Sequence, residues 1–265
     1  MKEFGLQIYS VRDYFTTVES TKETFLKLRE FGYSYVQTAG TYDYISAEEF
    51  RRYADEAGIT VCGTHYSWTK ISEDVEGTIA YHRTLGTKYI GIGGMPSTCY
   101  ETMDNLLAFL DRFNEMAAIY AKEGFVLTYH NHSMEFTKLE GKRIFDVMAE
   151  KLDPKNTSFV LDVYWAHAAG MDVRALLEEL KGRVCMIHLK DGQACVKFIL
   201  ENGKSLRTLE RIEVGEGNIN FPAIIRTAEA CGVEYFVVED EIYSTGDSMD
   251  SVRLSASNIQ KKFLS

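Results

Sequence analysis

The stretch Lys122-Glu123-Gly124-Phe125-Val126-Leu127-Thr128-Tyr129-His130 decides the fold of this chain. Its first residues close an amphipathic helix, a glycine follows, and an apolar run then ends on an imidazole. Glycine just past a helix adopts the left-handed conformation at low cost and turns the chain into a strand. The same joint recurs at five further glycines: Gly32, Gly58, Gly86, Gly182 and Gly232. A seventh joint, at 152–156, uses proline and asparagine for the same stop.

The apolar runs beside these joints predict eight strands. They cover residues 4–10, 33–39, 59–66, 88–93, 125–130, 158–163, 183–189 and 235–239. Most are nearly continuous in apolar residues, which is typical of parallel strands covered on both faces. Eight β/α units in 265 residues match a (β/α)8 TIM barrel, so we expect an α/β fold with a single domain over 1–265 and a site at the C-terminal ends of the strands. An open, doubly wound sheet is the alternative, but no glycine-rich phosphate loop follows strand one.

Local signals place several helix ends and loops. Ser46-Ala47-Glu48-Glu49 has the form of a capping box, and Asn220 is expected to cap a later helix. The stretch 192–217 is long for a β/α connection, so we expect a loop that shapes a pocket. Gly91-Ile92-Gly93-Gly94 lacks the spacing of a nucleotide loop and predicts close backbone approach at the mouth of strand four.

Composition excludes several classes of partner. The formal net charge is -10, and a chain this acidic without a lysine-rich stripe is a poor ligand for nucleic acid. No apolar run reaches membrane-spanning length, and Met1-Lys2-Glu3-Phe4 leads directly into a strand pattern rather than a secretory signal. The five cysteines are odd in number and follow no CxxC spacing. We therefore expect a reduced, cytoplasmic protein; association with a second copy or a small partner subunit stays open.

Side chains suited to metal binding end three consecutive predicted strands. They are Asp162, His188 and Glu239. A lone strand-end carboxylate or histidine is often only a rim residue, but parallel strands present their C-terminal ends on one face, so an ordered set can converge on one ion. An aspartate in apolar company is costly unless it is paired or metal-bound. The set favours Mn²⁺, Mg²⁺, Co²⁺ or Zn²⁺ over a cysteine-ligated structural zinc.

Further polar and aromatic residues are expected around this face. His130 and His132 share one side of an extended strand five, Glu135 can fold back over the mouth, and His65 ends strand three. Four residues are expected to contact substrate, two from strand one and two as stacking platforms for a sugar: Gln7, Tyr9, Trp68 and Trp165. His82 lies on a helix face and is predicted to be structural.

Taken together, these motifs resemble the xylose-isomerase-like TIM-barrel superfamily. This group of sugar phosphate isomerases and epimerases also includes inosose dehydratases, endonuclease IV and 3-keto-glycoside lyases. The resemblance covers nearly the whole chain and rests on Leu6-Gln7-Ile8-Tyr9-Ser10-Val11-Arg12, Tyr129-His130-Asn131-His132 with Glu135-Phe136, Asp162 with Trp165 and Gly170, His188-Leu189-Lys190-Asp191, Val214-Gly215-Glu216-Gly217 and Val238-Glu239. The set is specific for the superfamily and not for one reaction.

The resemblance implies one divalent ion held by Glu, Asp, His and Glu from strands five to eight. Asp162, His188 and Glu239 match the last three ligands, whereas His130 stands where many members have the first Glu. Similarity to sugar-processing members with His-Asn-His implies that Glu135 takes over, with His130 as the substitute ligand or a substrate contact. Mn²⁺ is the expected ion, with Mg²⁺, Co²⁺ and Zn²⁺ left open.

The leading functional hypothesis is a metal-dependent isomerase or epimerase of a sugar or keto sugar. An ion that polarises a carbonyl favours removal of the α-proton and stabilises the enediolate. We expect His132 to move that proton, with His65 as the reserve, and Lys190 to donate to a substrate oxygen. The first alternative is a lyase or dehydratase that expels a β-leaving group. An endonuclease IV-type enzyme needs more ligands and a basic surface, and a sugar-binding barrel without catalysis does not need the full ligand set.

Overall fold

The structure, a computed structural model, describes residues 1–199, 204–241 and 243–264, without the side chains of 196–199 and 204–208. Eight parallel strands form one sheet: β1 (Gly5–Gln7), β2 (Tyr35–Ala39), β3 (Thr60–His65), β4 (Tyr89–Ile92), β5 (Val126–His130), β6 (Thr157–Asp162), β7 (Val184–Leu189) and β8 (Tyr235–Val238). Their order is β3-β2-β1-β8-β7-β6-β5-β4. The Tyr66 N–H donates to the Gly91 carbonyl at 2.7 Å and joins the two ends of the sheet. The predicted barrel is confirmed, and the open doubly wound alternative is wrong.

Helices between the strands form the outer layer. The described residues contain α1 (Val18–Glu30), α2 (Ala47–Glu56), α3 (Trp68–Glu73), α4 (Val75–Leu85), α5 (Met103–Ala121), α6 (Ile144–Lys151), α7 (Val163–Ala168), α8 (Val173–Glu179), α9 (Phe221–Ala230) and α10 (Ser248–Lys262). All six glycines at the predicted joints have positive φ, between 70° and 99°. Ser46 Oγ accepts the Glu49 N–H at the start of α2, and the Asn220 side chain caps α9.

Three segments differ from the sequence prediction. β1 ends early at Gln7, because the Gln7 side chain accepts the Tyr9 N–H at 3.2 Å and starts a 3-10 turn over Ile8–Tyr14. Where a loop was predicted after β7, Asp191–Ile199 pairs with Lys204–Ile212 as a long antiparallel hairpin. A second hairpin, Lys138–Leu139 with Lys142–Arg143, precedes α6.

The interior of the barrel is apolar at its N-terminal end. A separate cluster of buried side chains fills it: Tyr35, Cys62, Tyr89, Val160, Cys185, Met186 and Val237. Cys62 and Cys185 are buried as free thiols and pack as small apolar residues. With this end filled, the opposite end is where inward-facing polar side chains collect. Among the described helices, none has the length and apolarity to cross a bilayer.

Candidate active site

Four polar side chains converge at the C-terminal ends of β5 to β8. His130, Asp162, His188 and Glu239 each offer one ligand atom, and these four atoms lie within 4.8 Å of one another. Strand register brings two of them side by side, because Asp162 on β6 pairs with His188 on β7. None of the four is more than 4% exposed. The sequence-predicted trio is thus brought together, and His130 completes the group.

Unpartnered atoms in this group fit a bound cation. Both ring nitrogens of His130 are buried with no hydrogen-bond partner among the described residues, and the buried Oδ2 of Asp162 has an ion-pair contact with Lys190 Nζ at 3.2 Å. His130 Nε2 lies 3.5 Å from that Oδ2 and 3.8 Å from Oε2 of Glu239. Leaving such atoms buried and unbonded costs free energy. Two imidazoles and two carboxylates are donors that Mn²⁺, Co²⁺ and Zn²⁺ accept, so the residues fit the implied ion.

Neighbouring polar groups orient these donors. Oδ1 of Asp162 accepts the backbone N–H of Trp165 at 3.0 Å, and the Asn131 side chain accepts the backbone N–H of Asp162 at 3.0 Å. On the other side, His188 Nδ1 lies 3.0 Å from Glu239 Oε2, and its Nε2 lies 2.6 Å from Oε1 of Gln37. Partners of this kind fix the ring orientation and the tautomer of a ligand histidine. Asn131 and Gln37 have supporting roles that the sequence analysis missed.

Lys190 supplies positive charge at the centre of the group. Its Nζ lies 2.8 Å from Glu239, 3.2 Å from Asp162 and 3.3 Å from Glu241, and the side chain is 1% exposed. Burial disfavours the ammonium and is the largest influence on its pKa, but the Asp162 and Glu239 carboxylates outweigh it and raise the pKa of Lys190. The same pairing overcomes burial and lowers the pKa of Asp162 and Glu239. The lysine stays charged, and both carboxylates stay ionised.

Glu135, the predicted fourth ligand, does not join the group. Its Oε1 accepts from the hydroxyls of Tyr100 at 2.5 Å and Tyr129 at 2.7 Å, and its Oε2 accepts the His132 N–H at 2.7 Å. β5 ends at His130, so the chain turns before Glu135 instead of folding back over the mouth. Tyr129 precedes His130 in the strand and therefore faces the helix layer. The position that the prediction gave to Glu135 is taken by His130.

A cavity of about 410 Å³ lies over the group. Its lining comes from several strand ends: Tyr9, Ala39, Gly40, His65, Gly93, His130, His132, Glu239 and Glu241. The rings of His65 and His132 each lie 4.8 Å from the His130 ring. Burial and then the neighbouring His130 lower the pKa of both histidines. Both are therefore neutral near pH 7 and can accept a proton.

Only some of the residues predicted to contact substrate reach this cavity. Tyr9 lines it and is 43% exposed, whereas Gln7 is fully buried below and donates to Gln37. Because β1 ends at Gln7, only Gln7 of this predicted pair lies on the strand, and Tyr9 reaches the cavity from the 3-10 turn that follows. Trp68 is also not brought to the cavity: it begins α3 and packs against Phe113, with ring centroids 5.6 Å apart.

Trp165 does not line the cavity but lies next to the His132 ring and close to two cations. Lys190 Nζ is 5.4 Å from the centroid of its ring, and the Arg211 guanidinium from the long hairpin is 5.6 Å away. Arg211 also forms an ion pair with Glu241. Neither Arg211 nor Glu241 was assigned a role from the sequence. Glu241 follows Glu239 by two residues, and this spacing was the signal that could have placed it near the same site. His82, by contrast, is buried and bonded to Thr64, as predicted for a structural residue.

Comparisons with known proteins agree with this geometry. A family model described as xylose isomerase-like TIM barrel matches residues 25–261. A solved sugar phosphate isomerase/epimerase from Parabacteroides distasonis ATCC 8503 is 25% identical, with a TM-score of 0.81 over 99% of each chain. A structure of L-ribulose 3-epimerase shares the fold at 15% identity, with a TM-score of 0.72 over 98% of this chain and 94% of that chain. An inosose dehydratase of Geobacillus thermodenitrificans (strain NG80-2) is 28% identical over 148 residues, 53% of this chain and 48% of that relative. The match thus spans about half the length of this curated relative.

Proposed function

Because this chain belongs to the xylose isomerase-like TIM barrel family, we propose that it is a divalent-metal-dependent isomerase or epimerase of a sugar or keto sugar. The observation that carries the proposal is the buried group of His130, Asp162, His188 and Glu239, with unpartnered atoms, directly beneath a cavity large enough for a monosaccharide. The P. distasonis relative, named sugar phosphate isomerase/epimerase, supports the same class of reaction.

In the proposed reaction the four grouped side chains hold the ion, with Mn²⁺ expected. When bound, the ion supplies Lewis-acid polarisation of the substrate carbonyl and stabilises the developing negative charge. His132 removes the α-proton, since its neutral imidazole lines the cavity beside His130. The His65 ring lies 4.8 Å from the same His130 ring, and His65 is the reserve base for this step.

Lys190 has a different part in this scheme from the one predicted. Its three N–H groups have three carboxylate neighbours, so none is left over to donate to a substrate oxygen. We assign it the task of keeping Asp162 and Glu239 ionised and in place. Trp165 is flanked by Lys190 and Arg211, so a sugar meets only the part of the indole that these cations leave open.

A lyase or dehydratase is the second candidate, favoured by the match to an inosose dehydratase. The same residues would remove the same α-proton. The outcome then depends on the substrate, because a leaving group on the adjacent carbon converts the enediolate into an elimination product. The site residues therefore do not distinguish the two reactions, and product analysis must.

Proton NMR in D₂O of the Mn²⁺-loaded protein with a panel of sugars and keto sugars tests the proposal. Deuterium at one α-carbon without loss of a substituent identifies an epimerase or isomerase, and deuterium with release of a leaving group identifies a lyase. His132→Asn is expected to lower the exchange rate by roughly 10²- to 10⁴-fold while the metal content is kept. Exchange at the wild-type rate in this variant would exclude His132 as the base.

The metal site has its own test. Alanine at His130, Asp162, His188 or Glu239 is expected to lower the metal content after dialysis, measured by elemental analysis. His167→Ala is the matched control, because His167 is exposed on α7 outside the group. If the four variants retain the same metal content as this control, the proposed site is wrong.

A further inference from the structure

A buried hydrogen-bond cluster lies behind the cavity, outside the residues that would touch ion or substrate. Its centre is the Glu135 carboxylate, which is fully buried. Oε1 accepts from the hydroxyls of Tyr100 and Tyr129, and Oε2 accepts from the backbone N–H of His132. The Tyr129 hydroxyl in turn accepts the Met95 N–H at 3.2 Å. Every one of these contacts is a hydrogen bond of ordinary or short length.

This cluster ties together the two loops that form one wall of the cavity. Tyr100 and Met95 belong to the loop after β4, and His132 and Glu135 belong to the loop after β5. The same two loops meet in the cavity itself. A Cβ atom placed on Gly94 would lie 3.9 Å from the His132 ring.

The hydrogen bonds of Glu135 argue for a positioning role beyond packing. Among the described residues, no lysine, arginine or histidine side chain pairs with this carboxylate, although it is completely buried. A buried carboxylate without a cation is costly, and an apolar side chain could fill the same space at lower cost. A carboxylate offers what an apolar residue cannot: acceptors for two hydroxyls and one backbone N–H at fixed angles.

The hydrogen bond between Glu135 and the backbone N–H of His132 connects this cluster to the active site. Residues 130 to 132 are consecutive: His130 faces the ion site, the Asn131 side chain binds the Asp162 N–H, and the His132 N–H binds Glu135. With its neighbour and its own backbone both held, the His132 side chain has little freedom to leave the cavity. Displacements of about 1 Å in such groups lower rates by roughly 10²-fold.

We propose that Glu135, with Tyr100 and Tyr129, is a positioning group that holds His132 over the metal centre. The assignment rests on the proposed function, because that function makes His132 the proton-transfer residue. Glu135→Gln keeps the shape but turns an N–H₂ group toward the His132 N–H or the hydroxyls. Tyr129→Phe keeps the carboxylate and removes one donor. Tyr120→Phe is the matched control, because Tyr120 is buried and donates to the Ile71 carbonyl, away from the site.

Kinetics and metal analysis form the first arm of the test. For α-proton exchange, kcat is expected to fall roughly 10- to 100-fold in Glu135→Gln and Tyr129→Phe, with KM within about twofold and metal content unchanged. Tyr120→Phe is expected to keep kcat within about twofold of wild type. Loss of metal in Glu135→Gln would overturn the proposal, because Glu135 would then be a ligand. A wild-type kcat in both folded variants would overturn it as well.

A second arm needs no substrate and separates failure of this proposal from failure of the proposed function. In protein with ¹³C-labelled histidine, the imidazole Cε1–Hε1 signal of His132 is identified by its absence from His132→Asn. This signal is expected to shift or broaden in Tyr129→Phe and Glu135→Gln, while the signal of buried His82 stays in place. An unmoved His132 signal in Tyr129→Phe, with far-UV circular dichroism showing a folded chain, would refute the positioning role whatever reaction the protein performs. Tyr100→Phe repeats the test if Glu135→Gln does not fold.

Discussion

Asp191→Asn is expected to destabilise the protein by loosening the base of the long hairpin. The Asp191 carboxylate is 1% exposed and accepts four backbone N–H groups. Oδ1 accepts from Gly192 at 2.8 Å and Ile219 at 3.3 Å, and Oδ2 accepts from Gly215 at 2.9 Å and Gly217 at 3.0 Å. One side chain thus fastens the first strand of the hairpin to the loop that returns to α9.

The magnitude follows from what asparagine can keep. Its carbonyl oxygen still accepts from Gly192 and Ile219, but its N–H₂ group faces the N–H groups of Gly215 and Gly217. Two hydrogen bonds to a charged group are lost, each about 1.5 to 3 kcal/mol. Gly215 and Gly217 are only partly buried, so water can replace part of the loss. We therefore expect the free energy of unfolding to fall by about 3 kcal/mol.

Urea unfolding followed by circular dichroism measures this change, and hydrogen–deuterium exchange over 191–219 locates it. Asp172→Asn is the control, because Asp172 caps α8 with two N–H groups at an exposed position. A cap of this kind contributes about 1 kcal/mol, and asparagine is itself a good cap, so little change is expected. If Asp191→Asn unfolds at the same urea concentration as this control, with unchanged exchange over 191–219, the argument from the four N–H groups fails.

Three further predictions concern the scaffold. Burial lowers the pKa of His82 to about 4, below the unfolded value of about 6.5. The contribution of the neutral imidazole to the free energy of unfolding is therefore fully present above pH 6.5, and about 3 kcal/mol of it is lost as the pH falls to 4. Melting curves of His82→Gln should lack this part of the pH dependence. Gly91→Ala should lower the free energy of unfolding by roughly 2 to 3 kcal/mol or more, because its Cβ would collide with the Thr64 carbonyl. Gly63→Ala is the control, because its Cβ would meet neighbours only at 3.4 Å. Equal unfolding midpoints for the two variants would contradict this prediction. Ser46→Ala should lower the free energy of unfolding by about 1 kcal/mol through loss of the α2 cap. An unchanged urea midpoint would show that this hydrogen bond does not stabilise the protein.

The fold was accessible from the sequence because its signals are local. Each joint needs only a glycine that tolerates positive φ and an apolar run beyond it, and Gly32, Gly124 and Gly232 meet that need within a few residues. The chain order of a (β/α)8 barrel then follows, since parallel strands joined by helices put all C-terminal ends on one face. For the same reason the convergence of Asp162, His188 and Glu239 was predictable: each lies within one residue of the end of its strand, so the strand itself orients the side chain.

Only the tertiary structure shows where side chains in the loops after the strands point, because a single backbone turn redirects them. Glu135 and His132 are three residues apart, yet the turn after His130 leaves His132 in the cavity and sends Glu135 behind it to the hydroxyl of Tyr129. His130 rather than Glu135 lies in the buried group because β5 stops at His130. The hydrogen bond from Tyr100, a residue distant in sequence, helps to hold Glu135 away from the group. Such contacts join residues far apart in sequence, so no local pattern encodes them. Trp68 shows the same limit: it follows a strand as Trp165 does, but packing against Phe113 holds it in the helix layer.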